Sequence, residues 1–436
     1  MIPTMSMPSR RPHSWLLVAL TAVMGCCDAL GHDASGARRL ELADQVHDGV
    51  VPLTITADRS NWRTERGGDG QAAAFDVATS HIVRWGRCPP WPAGPIVLLA
   101  DGGTIAGRIE SADERTVVVA SPTLGRIAVP AAAVRGYRAS PAIGPASLAT
   151  TPARHERMQL LLLANDDRVA AHHLEWLHDA VTVDVGPPQA SAEAARATVS
   201  MPADVVRAID FCRPATAASG PRILVATMDG SRIAIGALES ASSTDGMRRV
   251  RLAVRLPGGD VVAECDADDI VALVVDGGRA TFLAGREPAS YEQTAAFGPA
   301  WPLARGHAVT GDWPAVRGTT AFTALGIHAP ARVGYLLDEP VMRFESLVAI
   351  DDSAGEGGSA IVRLLAGGGG AGTREVFCSR PLRGGEEPLR IRVDFAAATE
   401  LVLVVESADA GDVLDRTLWL DPVAVRRTAA GADAAE

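Results

Sequence analysis

Between Gly94 and Tyr137 the chain reads GPIVLLADGGTIAGRIESADERTVVVASPTLGRIAVPAAAVRGY, short β-branched runs of alternating apolar and polar positions cut by Asp-Gly and glycine turns. Alternation with a period of two buries one face of a strand and leaves the other to solvent. Asp101-Gly102 suits a tight hairpin, because glycine tolerates positive φ. A second copy starts at Gly220 with GPRILVATMDGSRIAIGALES and has its own Asp229-Gly230 turn. Between them, MQLLLLANDDRVAAHHLEWLHDAVTVDVG and ARATVSMPADVVRAIDF follow the same outline around an insertion at 186–195, and the stretch Val50 to Trp85 reads as a degenerate first copy. Units of this length that repeat imply an array of small β-rich modules.

After about Tyr291 the texture changes. The runs RFESLVAI, LRIRVDF and ELVLVVE alternate over longer spans, as antiparallel strands of a β-sandwich do. The expected fold is all-β: tandem small SH3-like or Sm-like β-barrel repeats followed by a C-terminal jelly-roll β-sandwich. The boundaries are 41–90 for the degenerate repeat, 94–138, 157–212 and 220–278 for the others, 285–427 for the sandwich and 428–436 for a disordered tail.

Composition restricts the function. In 436 residues, 47% are hydrophobic and 21% charged, enough to bury several cores. All 41 basic residues are arginine, the net charge is −11, and no basic stripe exists to neutralise phosphates, which argues against a nucleic-acid partner. At the start, Arg10 and Arg11 precede the apolar run Trp15 to Met24, the layout of a secretory signal over residues 1–25. Val23-Met24-Gly25-Cys26 resembles a bacterial lipobox, which makes Cys26 a lipidation site and the lipid anchor the one expected membrane contact. The alternative is cleavage after Ala29-Leu30-Gly31 and a soluble exported chain. Cys88, Cys212, Cys265 and Cys378 lack CxxC spacing, which leaves disulfides or isolated thiols.

Two clusters suggest chemistry and have plainer readings. HHLEWLH gathers His172, His173, Glu175 and His178, but not at HExxH spacing, and reads as an exposed polar stretch. Asn165 to Arg168, NDDR, occupies the place of the Asp-Gly turn and reads as turn chemistry.

Further along, Leu325-Gly326-Ile327-His328-Ala329-Pro330, Tyr335-Leu336-Leu337, Arg343-Phe344-Glu345, Ala349-Ile350-Asp351-Asp352, Gly357-Gly358-Ser359 and Asp415…Trp419…Asp421 occur in the order found in the NPCBM family. The segment 285–427 resembles that family of carbohydrate-binding modules, which has a galactose-binding-like jelly-roll fold. Ala324 stands where the family often carries a basic residue, and Gly367 to Gly370 where it often has an Asp-Gly hairpin. The resemblance implies a carbohydrate partner and nominates Trp301, Trp313, His328, Arg343 and Trp419 as sugar contacts. It also raises a structural calcium at Asp351, Asp352 and Glu356.

Each of these residues has a structural alternative. His328 fits a buried imidazole bonded to a carbonyl, Arg343 an ion pair with Asp351 or Asp415, and Trp419 a core position. The leading expectation is an exported, non-catalytic glycan-binding protein of the periplasm or cell envelope, with the repeats as spacer or second contact surface. The alternative is an envelope scaffold that binds protein, and a glycoside hydrolase is the third reading.

Overall fold

The computed structural model describes residues 38–65, 72–144, 158–186, 197–211, 221–242, 248–295, 298–318, 320–368, 372–409 and 411–426. The signal segment, Cys26, Cys212 and the tail at 428–436 lie outside the described residues. Before the sandwich, four segments share one plan of strands. The first runs Leu40–Leu42, Val50–Ile55, Arg59–Thr64, Ala74–Ala78 and Ile82–Gly86. The second has Ile96–Leu99, a broken strand Thr104–Ala106 and Arg108–Ala112, then Thr116–Ser121, Gly125–Pro130 and Val134–Arg138. The third has Gln159–Leu163, Arg168–Leu177, Ala180–Val185, Ala197–Pro202 and Val206–Asp210. In the fourth the strands are Arg222–Thr227, Arg232–Ser242, Arg248–Leu256, Gly259–Asp266 and Ile270–Asp276.

A one-turn 3-10 helix precedes the last strand of every segment, at Thr79–His81, Ala131–Ala133, Ala203–Val205 and Ala267–Asp269. In each unit the last strand returns to pair with the first, which curls the sheet around its own apolar residues.

These units are not separate beads. Unit II pairs with unit III through their last strands, Tyr137 opposite Ile209, and through their second strands, Trp176 opposite Ala112. Unit I pairs with unit IV in the same way, with Trp85 opposite Leu273 and Ile55 opposite Leu238. The two crossings place corresponding positions opposite each other, so each pair of units is related by a local pseudo-two-fold axis. Glycine lets the backbones approach at both crossings. A Cβ on Gly136 would sit 2.6 Å from the Ile209 carbonyl, and one on Gly86 2.1 Å from that of Val271. Beside the first crossing Arg138 is fully buried and donates to the carbonyls of Tyr137, Ile209 and Gly144. Burial pulls its pKa down to about 10.

Units II and IV meet through their Asp-Gly turns. Asp101 accepts from Arg222 at 2.8 Å, and Asp229 accepts from the Ser121 hydroxyl at 2.8 Å and the Thr123 amide at 3.2 Å. The turn residues therefore fasten neighbouring units as well as closing hairpins. Among the described residues all the repeat strands join one hydrogen-bonded network of 22 strands, a continuous platform rather than a string of spacers.

The C-terminal ten strands form a second antiparallel network. Its two longest strands, Ala331–Ile350 and Leu389–Ser407, each bend past an irregularity and contribute to both layers. One layer pairs Ala331 to Leu336 with Glu400 to Val405, and the latter with Ser359–Gly367. The other pairs Arg343 to Ile350 with Arg416–Val425, and that strand with Ala324–His328. Leu325, Tyr335, Phe344, Val348, Leu403 and Trp419 fill the space between. Strand Ala280–Phe282 also belongs to this sheet, pairing with Val423 to Val425.

The platform and the sandwich are packed together. Val83 and Val274 of the repeats share an apolar cluster with Phe282, Val423 and Val425. Beside it, Glu345 is 2% exposed and meets Arg84 at 3.0 Å and Arg343 at 2.7 Å. Burial drives the Glu345 pKa upward, but Arg84, Arg343, Arg392 and Arg390 outweigh it and hold the carboxyl below its usual 4.5.

A carboxylate with a depressed folded-state pKa stabilises above its unfolded value and loses that contribution as pH falls through the folded one. The joint is therefore expected to hold above about pH 4.5 and to weaken below it. Glu345→Gln should cost about 3 kcal/mol of unfolding free energy at pH 7 and remove this acid dependence. Calorimetry of the full chain from pH 3 to pH 7 checks both, and an acid dependence unchanged in the variant would contradict the assignment.

Candidate functional site

At one end of the sandwich, strand Ala324–His328 runs antiparallel to Arg416–Val425 with His328 opposite Arg416. His328 is buried and its Nδ1 lies 2.8 Å from the Ala329 carbonyl; because a carbonyl only accepts, Nδ1 carries the proton. The Trp301 ring lies flat on the imidazole, with centroids 4.8 Å apart and planes 2° from parallel. Trp301 is held there by its amide, which donates to Gln293 Oε1 at 2.9 Å, and by its carbonyl, which accepts from the Tyr291 hydroxyl at 2.8 Å. The Arg416 guanidinium stands 5.9 Å from the same indole, within cation–π range, and donates to the Ser353 hydroxyl at 3.2 Å.

Two buried carboxylates support the surrounding loops. Asp415 accepts the Ser359 amide at 2.7 Å, and Asp351 accepts the Ser353 amide at 2.6 Å. Burial raises both pKa values above the ordinary aspartate range, and the amides oppose it. The Gln293 Nε2 and Arg416 Nε groups are buried without a hydrogen-bond partner. A half-buried indole with a guanidinium beside it is an amphipathic surface suited to a ring with one apolar face and hydroxyls at its edge.

The residues nominated from the sequence separate here. Trp301 and His328 come together. Trp313 does not join them: it is 8% exposed, packs on Ile96 and Leu98 of unit II, and donates from Nε1 to the Ile143 carbonyl at 3.0 Å. Arg343 pairs with neither Asp351 nor Asp415. It binds Glu345 and donates to the Ala43 carbonyl at 3.2 Å, because this part of its strand faces unit I. Trp419 is wholly buried, edge-on to Phe344 at 6.1 Å. These three lie at the joint or in the core, apart from the Trp301–His328 stack.

The calcium set does not fit either. Asp351 points into its own turn, Asp352 accepts the Arg317 and Gly318 amides at 2.8 and 3.3 Å, and Glu356 is exposed. Among the described residues no three metal-binding side chains are gathered. In HHLEWLH, His173 lies 3.4 Å from the exposed Glu114, and strand alternation turns His172 to the other face. Burial pushes the Cys265 thiol up to about 12, which makes it a poor nucleophile. Arg416, Gln293 and Tyr291 were missed in the sequence: Arg416 follows the Asp415 of the family pattern, but its register opposite His328 is a tertiary fact.

Residues 287–424 match the family model for the NPCBM/NEW2 domain, so the C-terminal third carries that domain. A comparison with curated proteins gives no match. Among solved structures, the chain is similar to the CBM51-2 and INT domains of Clostridium perfringens ZmpB in complex with GlcNAc, at 19% identity and TM-score 0.30 over 45% of this chain and 44% of that one. It is also similar to a CBM51 from Clostridium perfringens GH95 in complex with methyl-galactose, at 18% identity and TM-score 0.28 over 34% of this chain and 99% of that one. A third is the tandem CBM51 pair of Sp3GH98 from Streptococcus pneumoniae SP3-BS71, at 10% identity and TM-score 0.29 over 62% and 88%. The alignment thus spans less than half of the first of these chains.

The position of Trp313 makes a separable prediction. Trp313→Ala empties a buried aromatic site at the joint and is expected to cost about 3 to 5 kcal/mol of stability, read in a denaturant titration. The Trp301–His328 stack lies elsewhere and its fluorescence should be unaltered in the folded variant.

Proposed function

We propose that the protein is a non-catalytic carbohydrate-binding protein whose NPCBM/NEW2 domain takes a sugar at the Trp301–His328–Arg416 end. The observation that carries this is the indole laid parallel on His328 with Arg416 beside it, within a segment that matches the domain. The indole supplies the apolar face, while the Arg416 guanidinium supplies donors for hydroxyls. Asp415 and Asp351 act as loop supports, each occupied by an amide, rather than as an acid pair for hydrolysis.

The expected location is outside the cytoplasm, in the periplasm or cell envelope, with Cys26 as the lipid attachment point and carbohydrate of the envelope or surroundings as the partner. The support is the basic-then-apolar leader and the Gly25-Cys26 pair. Replacing Cys26 by Ser should move the protein from the membrane fraction to the soluble exported fraction; an unchanged distribution would count against a lipid anchor.

Binding is tested with the full chain on a glycan array, followed by calorimetric titration of the best neutral sugar. Trp301→Ala and Arg416→Ala should each weaken that sugar about tenfold or more, the worth of a stacked ring or a charged hydrogen bond. Trp313→Ala should bind as the parent does. Wild-type affinity in Trp301→Ala, or silence of the folded parent across neutral glycans, would overturn the reading and favour a scaffold that contacts protein.

A further inference from the structure

A cluster of charge lies away from the Trp301 end, at the joint between platform and sandwich. Five guanidinium groups, those of Arg39, Arg84, Arg343, Arg390 and Arg392, surround the two buried carboxylates of Glu41 and Glu345. Their positions come from both parts of the chain. Arg39, Glu41 and Arg84 belong to unit I, and the others to neighbouring strands of the sandwich, where Arg392 lies opposite Glu345 and Arg390 opposite Leu347.

The cations are only partly used. Arg39 and Arg390 each approach Glu41 no closer than 3.6 Å, and Arg392 reaches Glu345 at 3.7 Å, beyond hydrogen-bond length. Each guanidinium carries five N–H donors in a fixed fork, more than two shared carboxylates can accept. The buried Nε of Arg39 has no hydrogen-bond partner, and that of Arg84 stands 3.3 Å from Glu41 Oε2.

Among the other acids nearby, Asp394 lies opposite Arg343 in the strand ladder. Asp48 is exposed and 3.8 Å from Arg39. Asp421 faces Arg84 across the joint, but it is held by the Thr323 amide, and burial raises its pKa above the usual carboxylate range. A cleft reaches this region, lined by Arg39, Glu41, Arg84 and Arg87 against the rings of Phe282 and Phe322. The side chains of Arg390 and Arg392 remain 29% and 37% exposed.

We propose that this joint is a second binding site, for an oxyanion group such as the sulfate or carboxylate of an acidic polysaccharide. Arg39, Arg390 and Arg392 bind it through forked N–H pairs, and Glu41 and Glu345 hold those guanidinium groups in place from beneath. The buried carboxylates prevent the cations from repelling one another when no anion is bound. The site is chemically unlike the Trp301 end, which presents a flat ring and few charges.

The probes are inorganic sulfate, dextran sulfate and neutral dextran, added to the full chain at ionic strength matched with chloride. Sulfate should raise the melting temperature by about 2 °C at saturation relative to chloride. Dextran sulfate should do so at a lower concentration of sulfate groups if the polymer is the ligand, and at the same concentration if a single anion is. Neutral dextran should have no effect through this site. Arg390→Gln and Arg392→Gln, measured separately, should each at least halve the sulfate response while keeping the parent's neutral-sugar titration. Trp301→Ala should keep the sulfate response, which separates this site from the first. A response to sulfate no greater than to chloride, or one undiminished in both arginine variants, would overturn the proposal.

Discussion

The contact on which the arrangement of the molecule depends is the buried carboxylate of Glu345 between Arg84 of the platform and Arg343 of its own strand. Ion pairs removed from water return little net stability, because desolvation consumes most of the Coulombic gain. What they confer is discrimination: an apolar patch of Val83, Val274, Phe282, Val423 and Val425 tolerates sliding, whereas a carboxylate left without its guanidinium does not. The patch provides the attraction, and Glu345 selects one orientation. In that orientation the Arg343 side chain reaches the Ala43 carbonyl, and the Trp313 indole closes on Ile143 at another part of the interface.

A platform rigid enough to be docked against needs its own units fixed, and local sheet pairing accomplishes this. A small curled sheet leaves exposed edges, and an edge strand seeks another. Here the second and last strands of each unit satisfy one another across the pseudo-two-fold axes, Tyr137 against Ile209 and Trp85 against Leu273. Duplicated units thus cap each other's edges without a separate covering element. The Asp101 and Asp229 turns then join one pair to the other through Arg222, Ser121 and Thr123.

Much of this was legible in the chain. Period-two alternation located strands in both parts, Asp-Gly turns marked hairpins, and the Leu325 to Pro330 pattern identified the domain that the family match shows at 287–424. Legibility ended where meaning depends on partners distant in sequence. Trp301 and Trp313 sit in the same irregular segment with similar neighbours, yet one stacks on His328 and the other inserts against unit II. No local signal distinguishes them, since a loop has no period from which to read a buried face. Arg343 likewise has two plausible acids in the sequence, Asp351 and Asp415, and its nearest carboxylate proved to be Glu345, two residues on, with the Ala43 carbonyl 300 positions away. The pairing of His328 with Arg416 is a matter of register, which a sequence constrains only through alternation.

One strand relates the two ends of the domain. Arg416–Val425 begins beside Trp301 and finishes in the apolar patch of the joint, nine residues on past an irregularity at Asp421, at most about 30 Å away. The apolar part of the docking surface lies at the Val423 to Val425 end of this strand, and the Trp313 loop makes a second contact with unit II. Perturbations separated by this distance, with no shared partners, are expected to add rather than couple. The strand is also central in its layer, hydrogen-bonded on one side to Ala324–His328 and on the other to Arg343 to Ile350, so it cannot slide without breaking both ladders. A repeat platform that grips the sandwich both at Val423 to Val425 and at the Trp313 loop thus holds the Trp301 surface at a fixed attitude.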